Sequence, residues 1–283
     1  SKPSMMTRSM FLMSLLVLAT ADTTAAQQHT HGTMVGTVTP NSAIVWTRAS
    51  QAANVSVLYA TNSALSNPSQ SPSVATIAAN DHTVKIGLTG LTPNTRYYYT
   101  TKVVNPFQAT QFDLGRIGSF RTPPSNTTND KVTFVATGDI KFHHQFDVFD
   151  KMRLENPDFF ICLGDMPYAD PAVSQNEYWL RHKDTRNNAK WFDFIPTTIC
   201  EATWDDHEVI NDWDRSSNQT LVGWGTKAVR DYWPLPSSSN EIYRSIRWGK
   251  ALEVFVLDCR SKRDANSAPS GPGKTMLGAA QKS

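Results

Sequence analysis

The sequence predicts an α/β domain that is preceded by an all-β sandwich domain. Over residues 29–122, short β-branched runs alternate with turn residues and show no helical period, which is typical of a β-sandwich. Over residues 131–283, strand-like runs alternate with segments of helical period, which indicates a layered α/β domain. The polar stretch "PPSNTTND", residues 123–130, lies between the two patterns and has the composition of a linker.

Turn residues define the strands of the sandwich. "TMVGTVTPNSAIVWTRA", residues 33–49, predicts two strands around a Thr-Pro-Asn turn, and "NVSVLYAT", residues 54–61, predicts a third. Residues 82–104 show the same alternation around a second Thr-Pro-Asn. No cluster of titratable side chains stands out in this sequence, so we expect the sandwich to act as a scaffold.

Three strands and a hairpin are predicted in the α/β domain. "KVTFVATGD" (131–139), "PDFFICLGD" (157–165) and "IPTTICEATWDDHE" (195–208) each contain an apolar or β-branched run that ends in acidic residues. Residues 241–260 predict two further strands that are joined at Gly249.

Helices are predicted between these strands. Phe146, Phe149 and Met152 recur at three-residue spacing and predict one apolar helix face. Residues 175–192 and 224–233 predict two further helices.

Composition restricts the class of partner. The 27 basic and 25 acidic residues nearly balance, so charge gives no reason to expect a nucleic-acid partner. Cys162, Cys200 and Cys259 each lie in or next to a predicted strand, and we expect buried, small apolar side chains. A bridge between Cys162 and Cys200 is the alternative.

Residues 1–26 predict a secretory signal peptide. Arg8 precedes an apolar run from Met10 to Ala19, and small residues follow up to Ala26, where we expect cleavage. The run is shorter than the roughly 20 residues that span a bilayer, so no transmembrane segment is expected after cleavage. We therefore expect a secreted, extracellular or periplasmic protein, with an N-terminal membrane anchor as the alternative.

The candidate functional residues lie where three predicted strands end. The strands end at Gly138-Asp139, at Gly164-Asp165 and at the acidic run of residues 204–208, "WDDHE". The carboxyl ends of strands in α/β sheets face the crevice that binds ligands. Carboxylates crowded there repel one another unless cations lie between them, and hard cations prefer oxygen ligands. The pattern predicts a metal site.

The order of these motifs resembles that of the binuclear metallophosphatases over residues 131–283. "HGTMVGTVTPNSAIVWTRA" and "TWDDHEVIND" are similar to the PhoD-like alkaline phosphatases (alkaline phosphatase D), and "GDMPYAD" and "YRSIRWGKALEVFVLD" also resemble purple acid phosphatases. The resemblance implies a four-layer metallophosphatase domain after a fibronectin-like sandwich. It implies metal-dependent hydrolysis of small phosphate monoesters by a metal-bound hydroxide.

The resemblance also implies individual roles. Asp139 would bind the first metal, Asp165 would bridge two metals, and Tyr168 would bind the first metal as a phenolate. Asp206 would bind the second metal, and His207 would orient the phosphate or protonate the leaving oxygen. Because a free tyrosine has a pKa of about 10, a phenolate ligand favours ferric iron, paired with a divalent Ca²⁺, Zn²⁺ or Mn²⁺.

Arg260 is a candidate for substrate binding, because arginine suits bidentate phosphate recognition. An ion pair with Asp258 is the alternative role of this residue. His143 and His144 are expected to be solvated residues at a helix start.

The sequence departs from the family in two places. The family has a cysteine at or beside the first acidic strand end, where Asp139 stands here. No histidine follows His207, although the family supplies further histidine ligands from later strands. We therefore expect a partial metallophosphatase domain that lacks its C-terminal part. A phosphodiesterase of the same superfamily, or an inactive remnant with a binding or structural role, are the alternative functions.

Overall fold

The computed structural model describes residues 28–141, 146–237 and 241–283. The predicted signal peptide, residues 1–26, lies outside the described residues, as do His143 and His144.

These ranges contain fourteen strands and four α-helices. The strands are β1 (His29–Thr39), β2 (Ser42–Ala49), β3 (Asn54–Ala60), β4 (Ser69–Gln70), β5 (Val74–Ala75), β6 (Thr83–Thr89), β7 (Arg96–Asn105), β8 (Gln108–Leu114), β9 (Gly118–Arg121), β10 (Phe134–Thr137), β11 (Phe159–Cys162), β12 (Ile199–Ala202), β13 (Arg244–Trp248) and β14 (Leu252–Val256). The helices are α1 (Asp147–Leu154), α2 (Gln175–Arg186), α3 (Ala189–Phe194) and α4 (Gln219–Tyr232).

The strands form two six-stranded sheets and a separate hairpin. The first sheet has the order β10-β11-β12-β1-β2-β6, and its strands β10, β11 and β12 are parallel. Strand β1 joins this parallel part by pairing Val35 with Ile199. The second sheet has the order β4-β3-β7-β8, with β5 on β3 and β9 on β7, and the hairpin is β13–β14. Strands from both sides of the predicted linker therefore share one sheet.

Two apolar cores lie on opposite faces of this shared sheet. On β11, Phe160 and Cys162 pack into a core that contains residues of all four helices, whereas Phe159 and Ile161 pack into the core of the sandwich. A parallel strand that is covered on both faces is apolar at every position, which explains the continuous run "FFIC". Phe149 and Met152 lie on α1 and are buried in the first core, as expected, whereas Phe146 precedes the helix in a left-handed backbone conformation and packs into the same core from there.

The helix predicted over 175–192 is two helices in the structure. Helix α2 ends at Arg186, and the side chain of Asn188 then caps α3 by accepting hydrogen bonds from the backbone N–H groups of Lys190 and Trp191. An asparagine competes with the helical backbone for hydrogen bonds, which favours a break at this position.

All three cysteines are free thiols, so the alternative bridge between Cys162 and Cys200 does not form. These two are buried, as the sequence predicted, and burial raises the pKa of Cys162 to about 12. The prediction was wrong for Cys259, which is only partly buried because it lies beyond β14 in a loop.

Gly164 allows the ends of β11 and β12 to approach closely. Its φ is +111°, and a Cβ atom at this position would lie 2.5 Å from the backbone nitrogen of Asp205. This nitrogen and the Trp204 carbonyl carbon at 2.9 Å belong to the backbone, so they cannot move aside as the end of a flexible side chain would. The short distance between these two strand ends therefore depends on a glycine here.

We expect Gly164→Ala to lower the free energy of unfolding by about 1–3 kcal/mol, because the new methyl group would force the two strand ends apart. Urea unfolding followed by circular dichroism measures the change. Gly87→Ala is the matched control, since no heavy atom lies within 4 Å of its added Cβ. An equal loss of stability in both variants would contradict the close approach.

Candidate metal centre

The parallel register brings the acidic residues that follow the strands to one edge of the sheet. The last pairs of this register join Thr137 to Cys162 and Cys162 to Ala202. Beyond them, the backbone N–H of Asp139 donates to the carbonyl oxygen of Gly164 at 3.2 Å. The loops that carry the predicted ligands therefore continue side by side past the ends of the strands.

Asp165, Asp206 and His207 form a cluster in which potential ligand atoms lie within 4.8 Å of one another. Asp165 and Asp206 are only 7% and 6% exposed. The backbone N–H of His207 donates to Oδ1 of Asp165 at 3.2 Å, and the backbone N–H of Asp212 donates to Oδ2 of Asp206 at 2.6 Å. These bonds hold both carboxylates in place.

Asp139 and Tyr168 lie beside this cluster. The Tyr168 hydroxyl donates to Oδ1 of Asp139 at 2.8 Å, and its ring lies 4.2 Å from the His207 ring, centroid to centroid. Burial and the carboxylates of Asp139 and Asp165 raise the pKa of the Tyr168 hydroxyl. This tyrosine is therefore a phenol unless a strong cation compensates the phenolate charge.

His207 is oriented by Asp170, the last residue of the string "GDMPYAD". Nδ1 of His207 lies 2.8 Å from Oδ1 of Asp170. Burial lowers the pKa of His207, but the hydrogen bond to Asp170 and the charges of Asp170, Asp165 and Asp206 outweigh it, so the pKa is raised. These contacts therefore favour the protonated imidazole over the neutral one.

The charges at this site fit a bound cation. Burial, together with the negative charges of Asp206 and Asp205, raises the pKa of Asp165 to about 6. A cation between the carboxylates would remove this repulsion, and oxygen donors such as these carboxylates suit hard metal ions. The residues present therefore fit a metal group.

Arg260 forms its ion pair with Asp205 and not with Asp258, the partner that the sequence analysis named as the alternative. Its Nε and Nη2 donate to the two carboxylate oxygens of Asp205 at 2.7 and 3.0 Å, and Nη2 lies 3.4 Å from Oδ1 of Asp206. Asp258 instead accepts the backbone N–H of Arg260 at 3.0 Å and the indole N–H of Trp204 at 2.8 Å. Nη1 of Arg260 is buried and has no hydrogen-bond partner among the described residues.

Two acidic residues of the site had no role assigned from the sequence. Asp205 holds Arg260, and Glu208 lies fully buried beneath the loops, where burial raises its pKa to about 8. In the string "WDDHE" all the carboxylates look alike, and only the three-dimensional contacts distinguish them.

We expect Asp170→Asn to lower the pKa of His207, because it replaces the negative charge next to Nδ1 with a neutral amide. An NMR titration of the imidazole C–H signals in chelator-treated protein measures this. Because the folded pKa lies above the unfolded value of about 6.5, protonated His207 stabilises the fold below that pH, and the contribution is lost as the pH rises through the folded pKa. The stability difference between wild type and variant should therefore be larger at pH 6 than at pH 9.

Asp193→Asn is the control, since this carboxylate forms a surface ion pair with Arg116. It should leave the His207 titration as it is in the wild type. An unchanged pKa of His207 in the Asp170 variant would contradict the role of Asp170.

Comparisons with known proteins match both parts of the chain to one phosphatase family. The family profile described as "PhoD-like phosphatase" matches residues 133–283, and the profile "PhoD-like phosphatase, N-terminal domain" matches residues 16–124. Alkaline phosphatase D of Bacillus subtilis (strain 168) is 25% identical over 245 residues, which cover 71% of this chain and 41% of that protein.

Solved structures share the fold. A structure of PhoD matches with a TM-score of 0.79 at 22% identity and covers 89% of this chain and 58% of its own. Purple acid phosphatase PPD1 from yellow lupin (Lupinus luteus) seeds matches with a TM-score of 0.56 at 14% identity, over 79% of this chain and 43% of its own. The α/β fold with an N-terminal β domain is thereby confirmed. The chain spans only 41% of the curated relative and 58% of the PhoD structure. Since the first profile covers more than half of the residues, the chain belongs to the PhoD-like phosphatase family.

Proposed function

We propose that this chain carries the metal-dependent site of an alkaline-phosphatase-D-like enzyme that hydrolyses small phosphate monoesters. The observation that carries the proposal is the cluster of Asp165, Asp206 and His207 at the carboxyl ends of parallel strands. Membership in the PhoD-like family and the similarity to alkaline phosphatase D support the same chemistry.

Asp139, Asp165, Tyr168 and Asp206 are the side chains that would hold a binuclear metal group. Such a group, when bound, supplies Lewis acidity: it activates water and neutralises charge on the phosphate. The raised pKa of Asp165 supports a cation at this residue, since its carboxylate is buried next to other negative charges.

His207 is the residue that we assign to proton transfer. Its Nδ1 is engaged by Asp170, so Nε2 is the nitrogen that would donate a proton to the leaving oxygen. The raised pKa favours the protonated form that would act as this donor.

Arg260 is proposed to bind the phosphate through Nη1, while Nε and Nη2 remain paired with Asp205. A buried arginine N–H group without an acceptor is energetically unfavourable. A phosphate oxygen would supply that acceptor.

Ferric iron with a divalent Ca²⁺, Zn²⁺ or Mn²⁺ is the proposed metal pair. The argument rests on Tyr168, whose pKa is raised by burial and by two carboxylates, so that only a strong Lewis acid would ionise it.

The finer description of the fold is also a proposal. Strands β1, β2 and β6 enclose a common core with the sheet β4-β3-β7-β8, an arrangement that supports a fibronectin-like sandwich over 29–122. The four-layer form of the catalytic domain remains a prediction.

Secretion is proposed from the signal-like residues 1–26 alone. Among the described helices, none is both long and apolar enough to cross a membrane.

We expect the full chain to hydrolyse p-nitrophenyl phosphate faster than bis-p-nitrophenyl phosphate, and to lose this activity on treatment with a chelator. His207→Ala should lower kcat by roughly 10²–10⁴-fold, the usual contribution of a general acid. Asp165→Asn should lower both bound metal, measured by elemental analysis, and turnover.

Asp193→Asn serves again as the control that changes a surface carboxylate only. Faster hydrolysis of the diester would favour the phosphodiesterase alternative. Less than one metal ion per chain, together with no turnover, would favour a binding or structural role. Full metal content and turnover in both site variants would refute the assignment of these residues.

For metal identity, we expect the protein loaded with ferric iron to show a visible tyrosinate charge-transfer band. Tyr168→Phe removes the phenolate, so the band should disappear while the fold is retained. Absorption spectra of wild type and variant measure this, with Tyr97→Phe as the control, since the Tyr97 hydroxyl accepts the backbone N–H of Thr92 within the sandwich. A band that survives in the Tyr168 variant would show that another residue is the source.

A further inference from the structure

Two loops of the candidate site converge on one buried carboxylate. Glu208 follows β12 and is only 1% exposed. Its Oε1 accepts the backbone N–H of Met166 at 2.9 Å, and its Oε2 accepts the backbone N–H of Asp205 at 3.0 Å. Met166 directly follows Asp165, and Asp205 directly precedes Asp206.

We propose that Glu208 is a positioning residue that sets the distance between the Asp165 and Asp206 carboxylates. The inference rests on the proposed metal-binding function of those two aspartates and adds a residue to it that holds no metal itself. Each oxygen of Glu208 fixes the backbone next to one proposed ligand, so a shift of this side chain moves both. Binding sites require their groups within about 0.5 Å of the working geometry, which makes such bonds decisive.

Two other bonds join the same loops, and both involve His207. The backbone N–H of Ala169 donates to the carbonyl oxygen of His207 at 2.7 Å, and the N–H of His207 donates to the Asp165 carboxylate. These bonds hold His207 between the loops. The two bonds to Glu208 instead tie the residues next to Asp165 and Asp206 to a single buried side chain.

The helices behind the site hold Glu208 in turn. A Cβ atom on Gly225 of α4 would lie 2.6 Å from the carbonyl oxygen of Glu208, so this helix packs directly on the Glu208 backbone. The hydroxyl of Tyr178, on α2, donates to the carbonyl oxygen of Val209 at 2.6 Å. Helices α2 and α4 therefore fix the backbone at Glu208 and Val209, and the Glu208 side chain in turn fixes the two loops.

Glu208→Gln in the full chain tests the proposal. A glutamine keeps one carbonyl oxygen for one amide but places its NH₂ group against the other backbone N–H. We expect the fold to be retained and the affinity for Mn²⁺, measured by isothermal titration calorimetry, to fall roughly tenfold or more, as for other groups that support metal ligands.

Glu201→Gln is the matched control. Glu201 is also 1% exposed, lies on β12, accepts the backbone N–H of Thr37 at 2.8 Å and pairs with Arg244 at 2.6 Å. This variant should lower the melting temperature but leave the Mn²⁺ affinity within about twofold of the wild type, because its contacts lie away from the ligand loops. An unchanged Mn²⁺ affinity in Glu208→Gln, or an equal loss in both variants, would overturn the proposal.

Amide hydrogen exchange on the unmodified chain gives a second measurement that does not depend on a folded variant. The Met166 and Asp205 amides should exchange as slowly as the amides of β11 and β12. Fast exchange at either amide would overturn the role of Glu208. Absence of Mn²⁺ binding by the unmodified chain would refute the proposed metal function, and the exchange rates would still decide whether Glu208 holds the loops.

Discussion

Electrostatic repulsion between carboxylates at one edge of a parallel sheet is the constraint on which the candidate site depends. Because β10, β11 and β12 run in the same direction and in close register, the acidic residues that follow them meet at that edge. Asp165 and Asp206 are buried there, where water screens their charges poorly. The fold must supply positive charge or hydrogen-bond donors, and the surrounding loops are arranged to do so.

The carboxylates of the site differ in how their negative charges are offset by neighbouring groups. Asp205 forms a bidentate pair with Arg260, and Asp206 lies near the same guanidinium. Asp139 accepts a hydrogen bond from Tyr168. Asp165 lies among these groups, and burial together with the charges of Asp206 and Asp205 raises its pKa to about 6. A cation next to Asp165 would offset this repulsion, which is consistent with the proposed role of Asp165 as a metal ligand.

Local signals made part of this site predictable. The apolar run of β11 and the abrupt change to Gly164-Asp165 mark a buried strand and its polar end within a few residues. Partner choice was not predictable, because it depends on contacts between distant parts of the chain. Arg260 pairs with Asp205 across 55 positions, and Glu208 bonds to Met166 across 42. Nothing in the string "WDDHE" shows which carboxylate is exposed, paired or buried.

The sandwich is not merely joined to the site by a linker, because one of its strands lies in the same sheet as the strands that carry the site. Strand β1 pairs with β12 through Val35 and Ile199. Strand β12 therefore lies between β11 and a strand of the sandwich, and its end leads directly into the Asp205–Glu208 run. Moving β1 would move β12, and β12 sets where Asp206 and His207 stand relative to Asp165. The N-terminal strands thus take part in positioning the acidic cluster, although none of the proposed ligands belongs to them.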